Sequence, residues 1–262
     1  MIIPKIYLIG SGNVAWHLAH ALIKHSLPLK GIWSRNNLTA LELSNSVNVP
    51  LLSKNDLPKL QGVFFLCVSD KAIPEIADFL SSKILIHCAG SVPLSVLTAY
   101  TNNCGVFYPL QTFSKYRNLT FSDIPILIES SNKEIEKLLL SLCHNLSCKN
   151  YFYTSEQRLK IHIAAVFANN FSNFMFTLAH YYLIYNHIDT DILKPLIKET
   201  FDKINSRLPI ECQTGPAIRN DILTIEKHLS ALKDTPDLKK FYSFVTESIY
   251  LFYRNNEKNT EF

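Results

Sequence analysis

The 262-residue chain lacks most of the signatures that assign a chemistry outright. It has no unbroken apolar run of about 18 residues, so no membrane-spanning helix is expected. Its opening, MIIPKIYLIG, is apolar but too short for a signal peptide, and a turn follows it. No CxxC pair occurs among the six cysteines, Cys67, Cys88, Cys104, Cys143, Cys148 and Cys212. They read as reduced thiols, and a cytoplasmic protein is expected. The nine histidines include no HExxH and no closely spaced Cys/His set, so no metal site is expected. A G-x-S-x-G elbow and a Walker A loop are both missing, which removes serine hydrolases and P-loop enzymes. The net charge of +4 is spread out, without the dense basic block that tracks phosphate backbones. No nucleic-acid partner is therefore expected.

What the chain does have is a composition that can fill a core, 47% hydrophobic and 18% charged. Strand and helix patterns alternate over the first 153 residues. Strands are expected at 5–9, 28–33, 49–51 (weak), 62–68, 84–87, 106–108, 124–129 and 150–153. Helices are expected at 13–24, 38–46, after Ser69 or Asp70 as a cap, and at 131–146. The run GVFFLCV is apolar throughout, as in a parallel strand covered on both faces. This alternation implies an α/β fold with a doubly wound parallel sheet. From residue 154 the pattern turns helical: 155–186 without proline or glycine, 190–207, 221–232 and 235–254, with a loop at LPIECQTGPAIRND. Two domains are expected, residues 1–153 as a Rossmann-like sheet domain and 154–262 as an all-helical one.

The most specific feature is the turn LIGSGNVAW. Gly10, Ser11, Gly12, Asn13, Val14 and Ala15 fit G-x-G-x-x-G/A between a strand and a helix. There Gly10 permits a tight turn, Gly12 admits a pyrophosphate, Ala15 lets the helix pack close, and the helix N-terminus attracts the phosphates. An NAD site usually ends its second strand on an acid; this one ends on Ser34, Arg35 and Asn36. Arg35 is either a reader of a 2′-phosphate or a solvated loop cation, and NADP is expected over NAD. Val68 and Ser69 would lie along the cofactor, with Ile73 or Pro74 as a wall. Gly90 and Ser91 would face the same crevice. Ser91 is either a substrate-binding hydroxyl or the cap of the next helix.

On an ideal helix His162, Asn169, Asn173 and His180 share one narrow stripe, with Lys160 nearly opposite. Buried polar groups need partners. The stripe therefore either looks into a cleft or forms a hydrogen-bond seam between helices or subunits. Arg219 in TGPAIRND could clamp an anionic group or make a structural salt bridge, Asp221 reads as an N-cap, and Gln111 is a further cleft candidate.

The set GSGNVAWHLAHAL, WSRN, HCAGS, YPLQTFS, HIAAVFANNF and TGPAIRND resembles the Rossmann-like proteins that carry the DUF2520 domain, generally labelled NADP-dependent oxidoreductases. They are similar in architecture to pyrroline-5-carboxylate reductases and β-hydroxyacid dehydrogenases. The resemblance implies a helical domain like the C-terminal one of 6-phosphogluconate dehydrogenase, and a homodimer formed through it. Two departures stand out. The Lys–Asn pair of β-hydroxyacid dehydrogenases is absent, since Ala164 follows Lys160 by one turn, and Tyr108 begins a segment that often begins with His. The expected function is hydride transfer between NADPH and a small carbonyl, imine or hydroxy-acid substrate. His162 would move the proton, Asn169 and Ser91 would position the reacting group, and Asn173, Arg219 and Gln111 would bind substrate. The rival expectation is a non-catalytic NADP-binding sensor or interaction protein.

Overall fold

Along the first strand Ile6 and Leu8 pack into one hydrophobic cluster, and Tyr7 and Ile9 into another. A strand buried on both faces must sit inside a layered α/β unit. The computed structural model describes residues 2–256 and divides into two compact units, Met1–Phe171 and Ser172–Phe262.

The first unit is built on seven strands: β1 (Ile6–Ile9), β2 (Leu29–Trp33), β3 (Val63–Leu66), β4 (Ile84–His87), β5 (Cys104–Pro109), β6 (Ile126–Ser130) and β7 (Asn150–Phe152). Their order is β2-β1-β3-β4-β5-β6-β7. The weak strand expected at 49–51 survives only as one parallel bridge, Ile32 to Leu51, outside β2. Helices α1 (Asn13–Lys24), α2 (Asn37–Val47) and α5 (Lys133–Asn145) cover one face, and α3 (Ile73–Phe79) and α4 (Ser95–Thr98) the other. Helical spacing explains the covering: Ala15, Leu18, Ala19 and Leu22 of α1 are buried, as are Ile135, Leu138, Leu139 and Leu142 of α5.

The sheet is not wholly parallel. β5 pairs β6 antiparallel, and β7 then runs parallel to β6. A parallel return would need a crossover, usually a helix. The connection over residues 110–125 carries only the 3-10 turn Phe121–Asp123, so the chain comes back beside β5 in the opposite sense.

The helical pattern expected to start at 154 begins with α6 (Ser155–Ala165), closed by a capping box between Thr154 and Gln157. The contact-defined unit boundary nevertheless lies at Phe171/Ser172, whereas the sequence pattern changes at 153/154. Hydrogen bonds account for the difference. The Arg158 guanidinium is buried, pairs with the Glu129 carboxylate of β6, and donates to the Val92 carbonyl at 2.5 Å. Ser155 Oγ donates to Glu129 and accepts from the Leu94 N–H at 2.9 Å. α6 is thereby bonded to the sheet unit.

The uninterrupted helix expected over 155–186 is broken by a π turn, Val166–Phe171, before α7 (Ser172–Tyr185). A π turn inserts residues relative to the α-helical ruler. The single stripe drawn from His162 through Asn173 to His180 therefore does not hold as one line. The second unit continues with α8 (Lys194–Ser206), α9 (Pro209–Cys212, within the expected loop), α10 (Ile222–Ala231) and α11 (Pro236–Asn256). Among the described residues no helix is long and apolar enough to cross a membrane.

Candidate functional site

β1 lies between β2 and β3, so the chain switches sides there, and in such sheets the crevice beyond the carboxyl ends at the switch is where ligands bind. Gly10 follows β1 with φ +120°, and a Cβ on it would stand 2.1 Å from the Cys67 carbonyl oxygen. Only glycine fits that approach. Gly12 differs. Its φ of −76° is open to any residue, and a Cβ there would meet nothing within 4 Å. It faces free space at the start of α1, whose first turn has neither a side-chain cap nor an acidic residue. Ala15 is fully buried. The observed geometry thus fits a pyrophosphate cradle: one glycine for the turn, one for approach, and an uncapped, uncompensated helix N-terminus.

A cleft of about 390 Å³ brings together Gly10, Ser11, Gly12, Ser34, Arg35, Val68 and Ser69 with Asn36, Thr39 and Lys115. No Asp or Glu lines it. The Ser11 hydroxyl is hydrogen-bonded to that of Thr39 at 2.6 Å. Asn36 Oδ1 accepts from the N–H groups of Leu38 and Thr39 and caps α2. Arg35 is exposed and stands 4.0 Å from Glu75, a loose surface pair worth little by itself. The wall is Ile76; Ile73 is buried in the core instead.

Asn13 and Val14 line a second hollow of about 550 Å³, together with Tyr108, Gln111, His162 and Asn169. Asn13 Nδ2 donates to the Phe113 carbonyl at 2.9 Å, and Gln111 Oε1 accepts from the Thr112 N–H at 2.8 Å. The Tyr108 hydroxyl and His162 Nδ1 are 3.0 Å apart, their rings edge to face. This contact explains Gly90, where a Cβ would lie 2.6 Å from His162 Nδ1 and 2.8 Å from Tyr108 Cζ. Burial raises the Tyr108 phenol above its usual value; the nearby Arg158 charge opposes that shift and Asp70 adds to it. Tyr108 is therefore a neutral O–H donor near pH 7. Asn169 is on the π turn, an irregularity frequent at functional sites.

Ser91 lines neither cavity; its hydroxyl donates to the Asp70 carboxylate. It does not cap α4, whose N-cap is Leu94. Ser69 begins a 3-10 turn, Asp70–Ala72, without a side-chain capping bond. Asn173 and Arg219 belong to the second unit and are exposed. Asp221 does cap α10, accepting from the Thr224 N–H at 3.1 Å and from its hydroxyl. These bonds, with Arg219 nearby, hold its carboxyl below the usual range. Among the described residues no group of three or more His, Cys, Asp or Glu side chains could hold a metal.

Sequence reasoning assigned no role to Tyr108, Lys115 or His87. Tyr108 did carry a signal, standing in YPLQTFS at the end of a strand. Lys115 carried none, because only the folded loop brings it to the cleft. His87 ends β4 wholly buried. Its Nδ1 accepts from the Ala89 N–H at 3.2 Å, which puts the proton of the neutral ring on Nε2. That atom has no hydrogen-bond partner among the described residues. Burial, and secondarily the Arg158 charge, push His87 down to about 3.

The family model described as "Domain of unknown function (DUF2520)" matches residues 124–249. Among solved structures, the "putative NADP oxidoreductase" of Bacteroides fragilis is similar over 95% of this chain and 98% of its own, with 36% identity and a TM-score of 0.88. The imine reductase of Myxococcus stipitatus, in complex with NADP+, is similar over 97% and 94% at 13% identity and a TM-score of 0.65. The 1-pyrroline-5-carboxylate reductase of Streptococcus pyogenes is similar over 95% and 99% at 12% identity and 0.59. At such identities these two share the fold alone. No curated protein matches the chain by sequence. The domain match and the full-length Bacteroides relative together establish that the chain belongs to the DUF2520 family of Rossmann-type proteins.

Proposed function

We propose that this protein is an NADP-dependent oxidoreductase acting on a small carbonyl, imine or hydroxy-acid substrate. The observation that carries the cofactor is the glycine turn, with Gly10 forced against Cys67 and Gly12 open above an uncapped helix N-terminus. Gly10, Ser11 and Gly12 would hold the pyrophosphate, Ser34 and Arg35 the adenosine side, and Val68 and Ser69 the stretch toward the nicotinamide. When bound, the nicotinamide supplies or accepts the hydride. The chain itself contributes the proton in the reducing direction and takes it up in the oxidising one. Tyr108 would give its hydroxyl proton to the oxygen or nitrogen that gains charge, and His162, 3.0 Å away, would replenish it. Asn169 would orient the reacting group. The Bacteroides relative's name, and the NADP+ bound to the imine reductase, agree with this reading.

The rival reading, a non-catalytic NADP-binding protein, has one observation in its favour. Lys160, on the helix where relatives by resemblance carry a catalytic lysine, pairs with Glu156 at 2.7 Å on the surface. Titration of the purified protein with NADPH and NADH tests the cofactor. Hydride transfer from isotopically labelled NADPH to candidate carbonyls and imines separates enzyme from sensor.

We also propose a homodimer through the helical unit. Of its described residues only Ala217 and Leu232 are buried, while Phe174, Met175, Tyr181, Ile184 and Tyr185 of α7 are exposed. Exposed apolar side chains in that number mark an interaction surface. Sedimentation showing only a 29.9 kDa species at micromolar concentration would remove the proposal.

A further inference from the structure

We infer that Lys115 is a specificity-determining residue, the second cation that reads a 2′-phosphate beside Arg35. The inference rests on the cofactor reading above and names a residue it does not use. A phosphate monoester carries about −1.5 to −2 charge near neutral pH. One exposed guanidinium offsets it only in part, while the neutral ribose hydroxyls of NAD have no use for two cations.

Lys115 lines the same cleft as Ser34, Arg35, Asn36 and Thr39, although it comes from the connection between β5 and β6. Three successive residues of that connection are fastened to the first turns of α1. The Phe113 carbonyl accepts from Asn13 Nδ2 at 2.9 Å, and the Ser114 carbonyl accepts from His17 Nε2 at 2.9 Å. Lys115 Nζ itself stands 5.1 Å over the Trp16 ring. The result is a held side chain, 20% exposed, against 50–78% for Lys59, Lys133, Lys160, Lys194, Lys198 and Lys203 in other ion pairs. Its counter-charge is Glu42 of α2 at 2.7 Å, and Arg35 has Glu75 at 4.0 Å. Both carboxylates lie outside the cleft lining. Each cation is thus paired from outside the cleft, and a phosphate entering between Ser34 and Thr39 would draw both charges to itself.

The test is calorimetric titration of the full chain with NADPH and NADH, in wild type, Lys115→Met and Glu42→Gln. Lys115→Met is expected to weaken NADPH by about 10- to 100-fold, the range for a hydrogen bond to a charged group, and to leave NADH within about twofold. Glu42→Gln separates recognition from scaffolding: it is expected to keep or tighten NADPH binding, because the competing carboxylate is gone. Equal losses for both nucleotides in Lys115→Met, or a loss of NADPH in Glu42→Gln that matches it, would make the pair a brace and overturn the inference. So would a Lys115→Met protein that keeps the wild-type preference, while the cofactor reading stood. Wild type that binds neither nucleotide would overturn the cofactor reading, and this inference with it.

Discussion

His87 should make the first unit sensitive to acid. Its ring is wholly buried at the end of β4 and held neutral, with its pKa pushed down to about 3, first by burial and then by the Arg158 charge. The same ring in the unfolded chain titrates near the ordinary value of 6.5. Between those values the unfolded chain takes a proton that the native ring refuses, so stability falls as pH falls. Its contribution is intact above about pH 6.5 and declines by about 1.4 kcal/mol per pH unit below it. At about pH 5 the loss is about 2 kcal/mol, a large part of an ordinary domain stability of about 5–15 kcal/mol. The perturbation is His87→Asn, which keeps an acceptor for the Ala89 N–H and has nothing to protonate. The assay is urea unfolding followed by tryptophan fluorescence at about pH 7.5 and about pH 5. Trp16 and Trp33 are the chain's two tryptophans, and both report the first unit. Wild type should lose about 2 kcal/mol more than the variant between the two conditions. Other histidines and the carboxylates contribute alike to both proteins and cancel in the difference. Equal losses in the two would refute the reasoning.

Gly10→Ala should cost more than about 2 kcal/mol, since it combines a left-handed φ with a backbone clash; a near-wild-type urea midpoint would show that the turn relaxes. Arg158→Met should destabilise by about 3–5 kcal/mol because it leaves the Glu129 carboxylate without its buried partner, and an unfolding midpoint shifted only slightly would count against that pairing. Tyr108→Phe should leave NADPH affinity unchanged and lower turnover by about 10²–10⁴-fold, once a substrate is in hand; unchanged turnover would remove Tyr108 from proton transfer.

The glycine turn, both strand faces and the change to helix were legible in the sequence, because each is local. A period of 2 or 3.6, a G-x-G between strand and helix, and an Asx cap such as Asp221 need only neighbouring residues to be recognised. Thus Asn13–Lys24 stands as read, and Gly10, Ser11, Gly12, Ser34, Arg35, Val68 and Ser69 meet in one cleft. What escaped depends on residues distant along the chain. The antiparallel β6 follows from a connection without a crossover helix, and the π turn from a change of phase that periodicity averages away. Ser91 reads as a cleft hydroxyl or a cap until Asp70, 21 residues away, claims it. Tyr108 and His162 are 54 residues apart in sequence, and only the missing side chain of Gly90 lets them touch. Lys115 reaches the cleft because its loop is bonded to α1 across about a hundred residues. The sequence by itself determined the layers and the glycine turn. The tertiary structure decided which side chains face one another around it, since such contacts are set by how distant segments pack and leave no local pattern.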